Sequence, residues 1–497
     1  MWFSSAYPTV ISGPLEGPRM LTGSEMGVVD ANAEALGVPR KQLMESSGNA
    51  VATAVRDLVE PGASVAVVAG RGNNGGDAFV AARFLDDYDV TTHLLGKPDA
   101  ITTDIAHANW DALDAGDYAT ETVGDSTGLD LGDPDLFVDA MLGTGISGDL
   151  REPEASAAAA MNEADAPVLA VDVPSGLDAE TGDLAASAVE ADHVVTFHDT
   201  KPGLDDLAAE VTVADIGIPA AAETTVERGD FQRLSRDPHS HKGDHGEVLV
   251  VGGGPYAGAP ALTAQAALRA GADLVRVACP AAVAHEVQGY SEDLIVRQVD
   301  GYKLGPQHVG PIMELAGEHD VLVIGPGLGA AEDTLEAVEG VLEAFDGRAV
   351  VDADALRVVP RSSTDATLLC TPHQGELVRM GGRTSDDWRE RRDLVADFAA
   401  DLGHALLVKG PVDVVSDGET TRVSKTGNPG MTVGGTGDVL AGVCGAMLAS
   451  QDPVDGGGIA AYVNGRAGDA VVDREGYGLV ASDLLGELPR TIWQDAE

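Results

Sequence analysis

Two glycine-rich runs in this 497-residue chain carry amides and carboxylates at spacings that suit ligand chemistry. The first is Gly70-Arg71-Gly72-Asn73-Asn74-Gly75-Gly76-Asp77, which follows an apolar run at 64–69. It holds a G-x-G-x-x-G pattern at Gly70, Gly72 and Gly75, the spacing that lets a strand-to-helix turn approach a pyrophosphate. That pattern alone also fits a glycine turn with no ligand. The acidic ribose ligand expected at the close of the next strand is missing, because that strand ends in Gly96-Lys97. Asn73, Asn74 and Asp77 carry more information: their oxygens could hold a monovalent cation, a ribose, or both. The second run is Gly434-Gly435-Thr436-Gly437-Asp438. Consecutive backbone N–H groups at a helix N-terminus make an anion hole, and Asp438 stands at its mouth as a candidate general base.

The elements that must position these residues alternate in the manner of an α/β protein. Strands are expected at 64–69, 90–95, 136–139, 167–173 and 193–197, with helices at 25–36, 42–58, 77–88 and 154–164. Two more strand ends bear aspartates, in Val138-Asp139-Ala140 and Val171-Asp172-Val173-Pro174-Ser175. Such an aspartate can be a cap. In a parallel sheet, however, the C-terminal strand ends share one edge, so these loops can converge on one crevice. Gly143, Gly145 and Gly148 there offer N–H groups to a phosphate. Pattern is lost around 219–238 and then restarts, with strands expected at 247–251, 274–278, 321–324, 349–351 and 405–408. Helices are expected at 259–270 and 438–448. We therefore divide the chain into an N-terminal arm at 1–19, a first domain at 20–225, a linker at 226–239 and a second domain at 240–497.

Composition narrows the function classes. With 81 acidic residues against 31 basic ones, the net charge is -50. The acids are spread along the chain, which implies a solvated acidic surface of halophile type, tolerable where salt screens self-repulsion. Nucleic-acid binding, which needs basic surface, is excluded. No apolar stretch is long enough to span a membrane and no secretory leader is apparent. Cys279, Cys370 and Cys444 lack metal-ligand spacing and form no disulfide framework, which fits a reducing cytoplasm. Only seven lysines occur, at 41, 97, 201, 242, 303, 409 and 425, so a retained lysine draws notice.

The motifs GRGNNGGD, FVDAMLGTGISG and VDVPSGLD, preceded by MLTGSEM and LMESSG, resemble the YjeF N-terminal domain of the NAD(P)H-hydrate epimerases, a Rossmann-like fold. The resemblance implies substrate contacts at Asn73, Asn74, Gly75, Gly76 and Asp77, and at Gly143, Thr144, Gly145, Ile146, Ser147, Gly148 and Asp149. It implies Asp172 beside the reacting carbon and a potassium site of Asn74, Asp139 and Ser175. Ala78 and Ser47 depart from the usual glycine and alanine. Downstream, His241-Lys242-Gly243, the glycines after 247–251, Gly325-Pro326-Gly327-Leu328-Gly329, Thr371-Pro372-His373-Gln374-Gly375-Glu376, Val408-Lys409-Gly410 and the Gly434–Asp438 run are similar to the ribokinase-like YjeF C-terminal domain. Its members are ADP- or ATP-dependent NAD(P)H-hydrate dehydratases. That resemblance implies hydrate contacts at Ala259, Gly327, His373 and Asp438. It implies nucleotide contacts at Lys409, Gly410, Pro411, Val412, Asp413, Val414 and Gly437, with Mg2+ on the nucleotide. Thr432-Val433 replaces the family's alanine and threonine.

The expected function is therefore a two-step repair of hydrated nicotinamide nucleotides. The epimerase half interconverts the R and S hydrates, and the dehydratase half consumes the S form with ADP. Asp172 and Asp438 are the expected catalytic groups, and a cytoplasmic homo-oligomer is the expected state. A small-molecule kinase remains an alternative for the second half, since a GGTGD turn serves both chemistries. A non-catalytic scaffold is an alternative for the first, opposed by Asn74, Asp77, Asp139 and Asp172.

Overall fold

A computed structural model describes residues 20–145 and 148–494. The expected arm at 1–19 and the candidates Ile146 and Ser147 lie outside the described residues. The chain separates into two compact units at Pro219/Ala220.

The first unit is built on a parallel sheet of seven strands: β1 (Ser64–Ala69), β2 (Asp89–Leu95), β3 (Thr120–Val123), β4 (Leu136–Ala140), β5 (Val168–Val171), β6 (His193–Phe197) and β7 (Glu210–Ala214). Their order is β3-β2-β1-β4-β5-β6-β7. The chain moves outward from β1 in one direction through β2 and β3, then returns to its other side with β4. Neighbouring loops at that reversal diverge and leave a crevice at the C-terminal ends of β1 and β4. The Gly70–Asp77 run leaves β1 there and Asp139 lies on β4.

The second unit carries nine strands: β8 (Glu247–Val251), β9 (Leu274–Pro280), β10 (Ile295–Val299), β11 (Val321–Ile324), β12 (Arg348–Val351), β13 (Thr367–Cys370), β14 (Ala405–Val408), β15 (Asp413–Ser416) and β16 (Thr421–Ser424). The order β10-β9-β8-β11-β12-β13-β14-β15-β16 repeats the same reversal at β8 and β11. Pairing is parallel as far as β14, and β15 and β16 add an antiparallel edge. Alternation of side chains sorts the strands between two cores. Val248, Val250, Val321 and Val323 pack on one face, and Leu249, Val251, Leu322 and Ile324 on the other.

Several boundaries differ from those expected. The helix after β1 begins at Asn73, not at residue 77, so the asparagines and glycines form its first turn rather than a loop. Strand β5 is shorter than 167–173 because Asp172 turns out of it with φ of 66°. Residues 226–239 are not a free linker. Val226 and Phe231 are buried in the second core, and the Asp230 carboxylate accepts from both terminal nitrogens of the Arg422 guanidinium. Residues 220–225, assigned to the first domain from the sequence, lie in the second unit. Among the described residues no helix is long and apolar enough to cross a membrane.

Candidate functional site

In the first unit, close backbone approach explains the glycines. A Cβ on Gly70 would fall 1.8 Å from the Met141 carbonyl oxygen, and one on Gly75 would fall 2.1 Å from that of Gly70. Only glycine lets the first turn of the Asn73–Arg83 helix nest against the β1 and β4 ends. Asn74 and Asp139 are thereby brought beside Ser175. Asp139 is fully buried on β4 and accepts from Ser175 N at 2.8 Å and Ser175 Oγ at 2.7 Å. Burial, opposed by these hydrogen bonds, pushes its pKa up to about 6. Asn74 Nδ2 donates to the Leu142 carbonyl at 2.9 Å, while its buried Oδ1 has no partner. An orphaned amide oxygen beside a buried carboxylate and a hydroxyl is an all-oxygen donor set that fits a hard monovalent cation.

The second feature is the Asp172 ion pair. Lys201 is 1% exposed, and its Nζ stands 3.0 Å from Asp172 Oδ1. It also donates to Thr196 Oγ1 at 2.7 Å and to the Phe197 and Asp199 carbonyls. Thr196 Oγ1 in turn donates to Asp172 Oδ1 at 3.1 Å. One carboxylate oxygen is thus fixed, and Oδ2 lies 3.7 Å from a Cβ placed on Gly143, toward the glycine loop. Two further acids surround it. Asp77 is desolvated and accepts from Ser47 Oγ; burial, reinforced by the Asp172 and Asp30 charges, holds its carboxyl well above the usual range. Burial likewise pushes Asp30 up to about 6.

The structure therefore gathers Asn74, Gly75, Gly76, Asp77, Asp139, Gly143, Asp172 and Ser175 at one sheet edge. Asn73 is exposed, and its Oδ1 accepts from Thr103. Thr144 packs beside Gly23, while Gly145, Gly148 and Asp149 are exposed. Lys201, Asp30 and Ser47 were not selected from sequence. The scarcity of lysine was the available signal for Lys201. Ala78 lies inside the helix with φ below zero, so the departure from glycine there creates no strain. A separate cavity of about 740 Å³, between the Arg40–Leu58 helix and β5–β7, is lined by none of the selected residues.

In the second unit, the Thr436–Leu448 helix begins after Gly435, whose φ of 100° suits glycine alone. Asp438 occupies its first turn. Burial is the main cause pushing its pKa up to about 7; the Asp352 charge adds to this and the Lys409 ammonium opposes it. Lys409 Nζ pairs with Asp352 Oδ1 at 3.0 Å and lies 3.4 Å from a Cβ placed on Gly437, so it faces the same turn. Burial favours its neutral form, but the Asp352 and Glu376 carboxylates outweigh that and raise its pKa. Asp352 follows β12 and accepts from Thr371 Oγ1 at 2.7 Å. Sequence reading missed it, although Val351-Asp352 repeats the strand-end pattern of Val138-Asp139 and Val171-Asp172.

Ala259 and Gly327 adjoin each other, the Ala259 Cβ standing 3.2 Å from a Cβ placed on Gly327. Thr263 Oγ1 donates to both the Ala259 and Asp438 carbonyls, tying that helix to the one that follows the Gly434–Gly437 turn. His373 caps the Gln374–Met380 helix, its Nδ1 accepting from Gly375 N at 2.9 Å, and its backbone bridges to Lys409. A cavity of about 530 Å³ is lined by His373, Lys409, Gly410, Pro411, Asp413 and Gly437, among others. Burial pushes Asp413 up to about 7, against the Gly410 N–H bond and the charges of Lys409 and Arg391. Val412 and Val414 do not line this cavity. The Val412 carbonyl accepts from Arg391, and Val414 is buried on β15 in the core.

A family model described as NAD(P)H-hydrate dehydratase matches residues 248–490, and one described as YjeF-related protein N-terminus matches residues 40–203. The chain is 42% identical to the bifunctional NAD(P)H-hydrate repair enzyme Nnr of Methanothermobacter thermautotrophicus, covering 94% of each protein. It is 42% identical to the protein of the same name from Pyrobaculum aerophilum, covering 95% of this chain and 98% of that one. A solved ADP/ATP-dependent NAD(P)H-hydrate dehydratase from Bacillus subtilis aligns at 26% identity over 55% of this chain and 99% of its own, with a TM-score of 0.48.

Proposed function

The chain belongs to the bifunctional NAD(P)H-hydrate repair enzymes, and from that premise we propose which of its residues perform each step. The substrate is NADH or NADPH hydrated across the nicotinamide C5–C6 bond. Its C6 hydroxyl is next to the ring nitrogen, so C6 is a hemiaminal carbon. Inversion there proceeds by ring opening or by reversible loss of hydroxide, and either route needs a group that takes and returns a proton at the hydroxyl. Asp172 is that group. Lys201 and Thr196 hold one of its oxygens and leave Oδ2 toward the glycine loop, which supports this assignment. Asn74, Asp139 and Ser175 would hold potassium, which supplies fixed positive charge beside the loops that receive the substrate. The unpartnered Asn74 Oδ1 supports that reading.

In the second unit Asp438 takes the proton from the C6 hydroxyl of the S hydrate, and that oxygen attacks the terminal phosphorus of ADP. The Gly434–Gly437 amides and Lys409 stabilise charge on the transferred phosphoryl group. Phosphate then leaves C6, driven by the ring-nitrogen lone pair, and loss of a C5 proton restores the C5–C6 double bond. AMP and phosphate are the other products. Among the described residues no cluster of three or more His, Cys, Asp or Glu is poised for a metal. Mg2+ would be carried in with the nucleotide phosphates, where it would neutralise charge.

The observation that carries the dehydratase assignment is Asp438 on the first turn of the helix that follows the glycine turn, with a pKa near 7 and Lys409 beside it. The test supplies each purified hydrate epimer with ADP or ATP in turn. The S form with ADP should yield NADH directly, and the R form should do so only through epimerisation. Equal initial rates from both epimers in an Asp172→Asn protein, beyond spontaneous inversion, would overturn the division of labour.

A further inference from the structure

The cavity beside the Gly434–Gly437 turn holds a polar group that the reaction above leaves unused. Asn464, on the Pro453–Glu475 helix, lines it and is 6% exposed. Its buried Oδ1 has no hydrogen-bond partner. A buried amide left unpaired is costly, so such a group is normally met by a ligand or a water. The surroundings indicate which. Lys409 Nζ and the Gly437 backbone make one part of the wall cationic and rich in N–H donors. Asn464 shares the rest of the wall with Leu440, Met431 and Pro429 and with the polar Thr426, Asn428 and Thr432. Gly465 lets the Thr426–Pro429 loop pack directly on the helix, since a Cβ there would fall 2.2 Å from Thr426 Oγ1.

One part of this wall suits phosphates, and the rest mixes apolar side chains with amides and hydroxyls, as the base and ribose of a nucleotide require. A carboxamide offers one acceptor and two donors on one edge, which matches the amino group and ring nitrogen of adenine. Guanine and hypoxanthine place a carbonyl where adenine has its amino group. Because Oδ1 is the unpaired atom, the adenine amino group would satisfy it, whereas a carbonyl at that place would leave it unpaired. We propose that Asn464 reads the base of the phosphoryl donor and selects adenine. The inference rests on the reading of this cavity as the nucleotide site.

The test uses the full chain with S hydrate and ADP, GDP or IDP as donor. Asn464→Leu should raise KM for ADP tenfold or more, leave kcat within about threefold, and shrink the preference for ADP over IDP by roughly ten- to hundredfold. Asn464→Asp keeps the shape and the acceptor but loses the donor, so it should show a smaller loss. It decides the matter if the leucine variant does not fold. Unchanged KM and unchanged ADP-to-IDP preference in the folded variants would overturn the proposal. Lys409→Met, titrated with ADP, separates the two levels. If it binds ADP as the unaltered protein does, the cavity is not the nucleotide site and both readings fall. If it binds ADP weakly while the Asn464 variants keep their preference, only the role of Asn464 is wrong.

Discussion

A carboxylate that acts as a base near neutral pH works best when its pKa lies near that pH. Asp438, buried and beside Asp352, meets that condition at about 7. Dehydration of the S hydrate should therefore lose about tenfold in kcat/KM for each pH unit below that value. Asp352→Asn removes a charge that raises the Asp438 pKa, so the acidic limb should move to lower pH. A limb that stays in place would show that another group titrates. The same burial has a consequence for stability. The folded-state pKa of Asp438 lies above its unfolded value, so its contribution is fully present below about 4 and is lost as pH rises through about 7. Asp438→Asn should accordingly melt at a higher temperature than the unaltered protein at pH 8, with the gap closing at pH 4. Asp172 and Asp438 could be selected from the sequence because each follows a strand or opens a helix beside glycine. Lys201, Asp30 and Asp352 were not selected: scarce lysine and the Val351-Asp352 strand end were the only signals for two of them, and what singles all three out is their contacts across the fold.

At the level of the elements, both sites depend on helix first turns pressed against strand ends. Gly75→Ala should place its methyl carbon against the Gly70 carbonyl, 2.1 Å away without relaxation. Overpacking of this kind typically costs 1–3 kcal/mol. Epimerase activity should fall steeply while dehydration of the S hydrate continues, and both rates in one preparation check this. A variant with normal epimerase activity would contradict the close-approach argument. The alternation of strands and helices was readable from apolar periodicity, and both sheets follow from it. The start of the Asn73–Arg83 helix was misplaced because glycine and asparagine look like loop residues, yet here the helix needs their small size and amides. Strands such as β7, with mostly exposed residues, lack the apolar run that marks a buried strand.

Across the whole molecule, the net charge of -50 is spread over both units rather than gathered in a tail. Self-repulsion of that size is relieved by screening, since the Debye length falls to about 3 Å near 1 M salt. The melting midpoint should rise strongly from millimolar to molar KCl, and a midpoint independent of salt would contradict the reading of an acidic, salt-dependent surface. The domain boundary was read a few residues too late. The 226–239 segment is polar enough to resemble a linker, but Val226, Phe231 and the Asp230–Arg422 pair bind it into the second core. The central claim is that one chain performs two separable steps through Asp172 and Asp438. It is tested most directly by NADH recovery from a mixed-epimer hydrate with ADP, using Asp172→Asn and Asp438→Asn proteins. Asp172→Asn should recover the S fraction rapidly and then slow to the spontaneous epimerisation rate. Asp438→Asn should still interconvert the epimers yet lose about 10²–10⁴-fold in NADH formation. Near-normal NADH formation by Asp438→Asn, or rapid complete recovery by Asp172→Asn, would contradict the account.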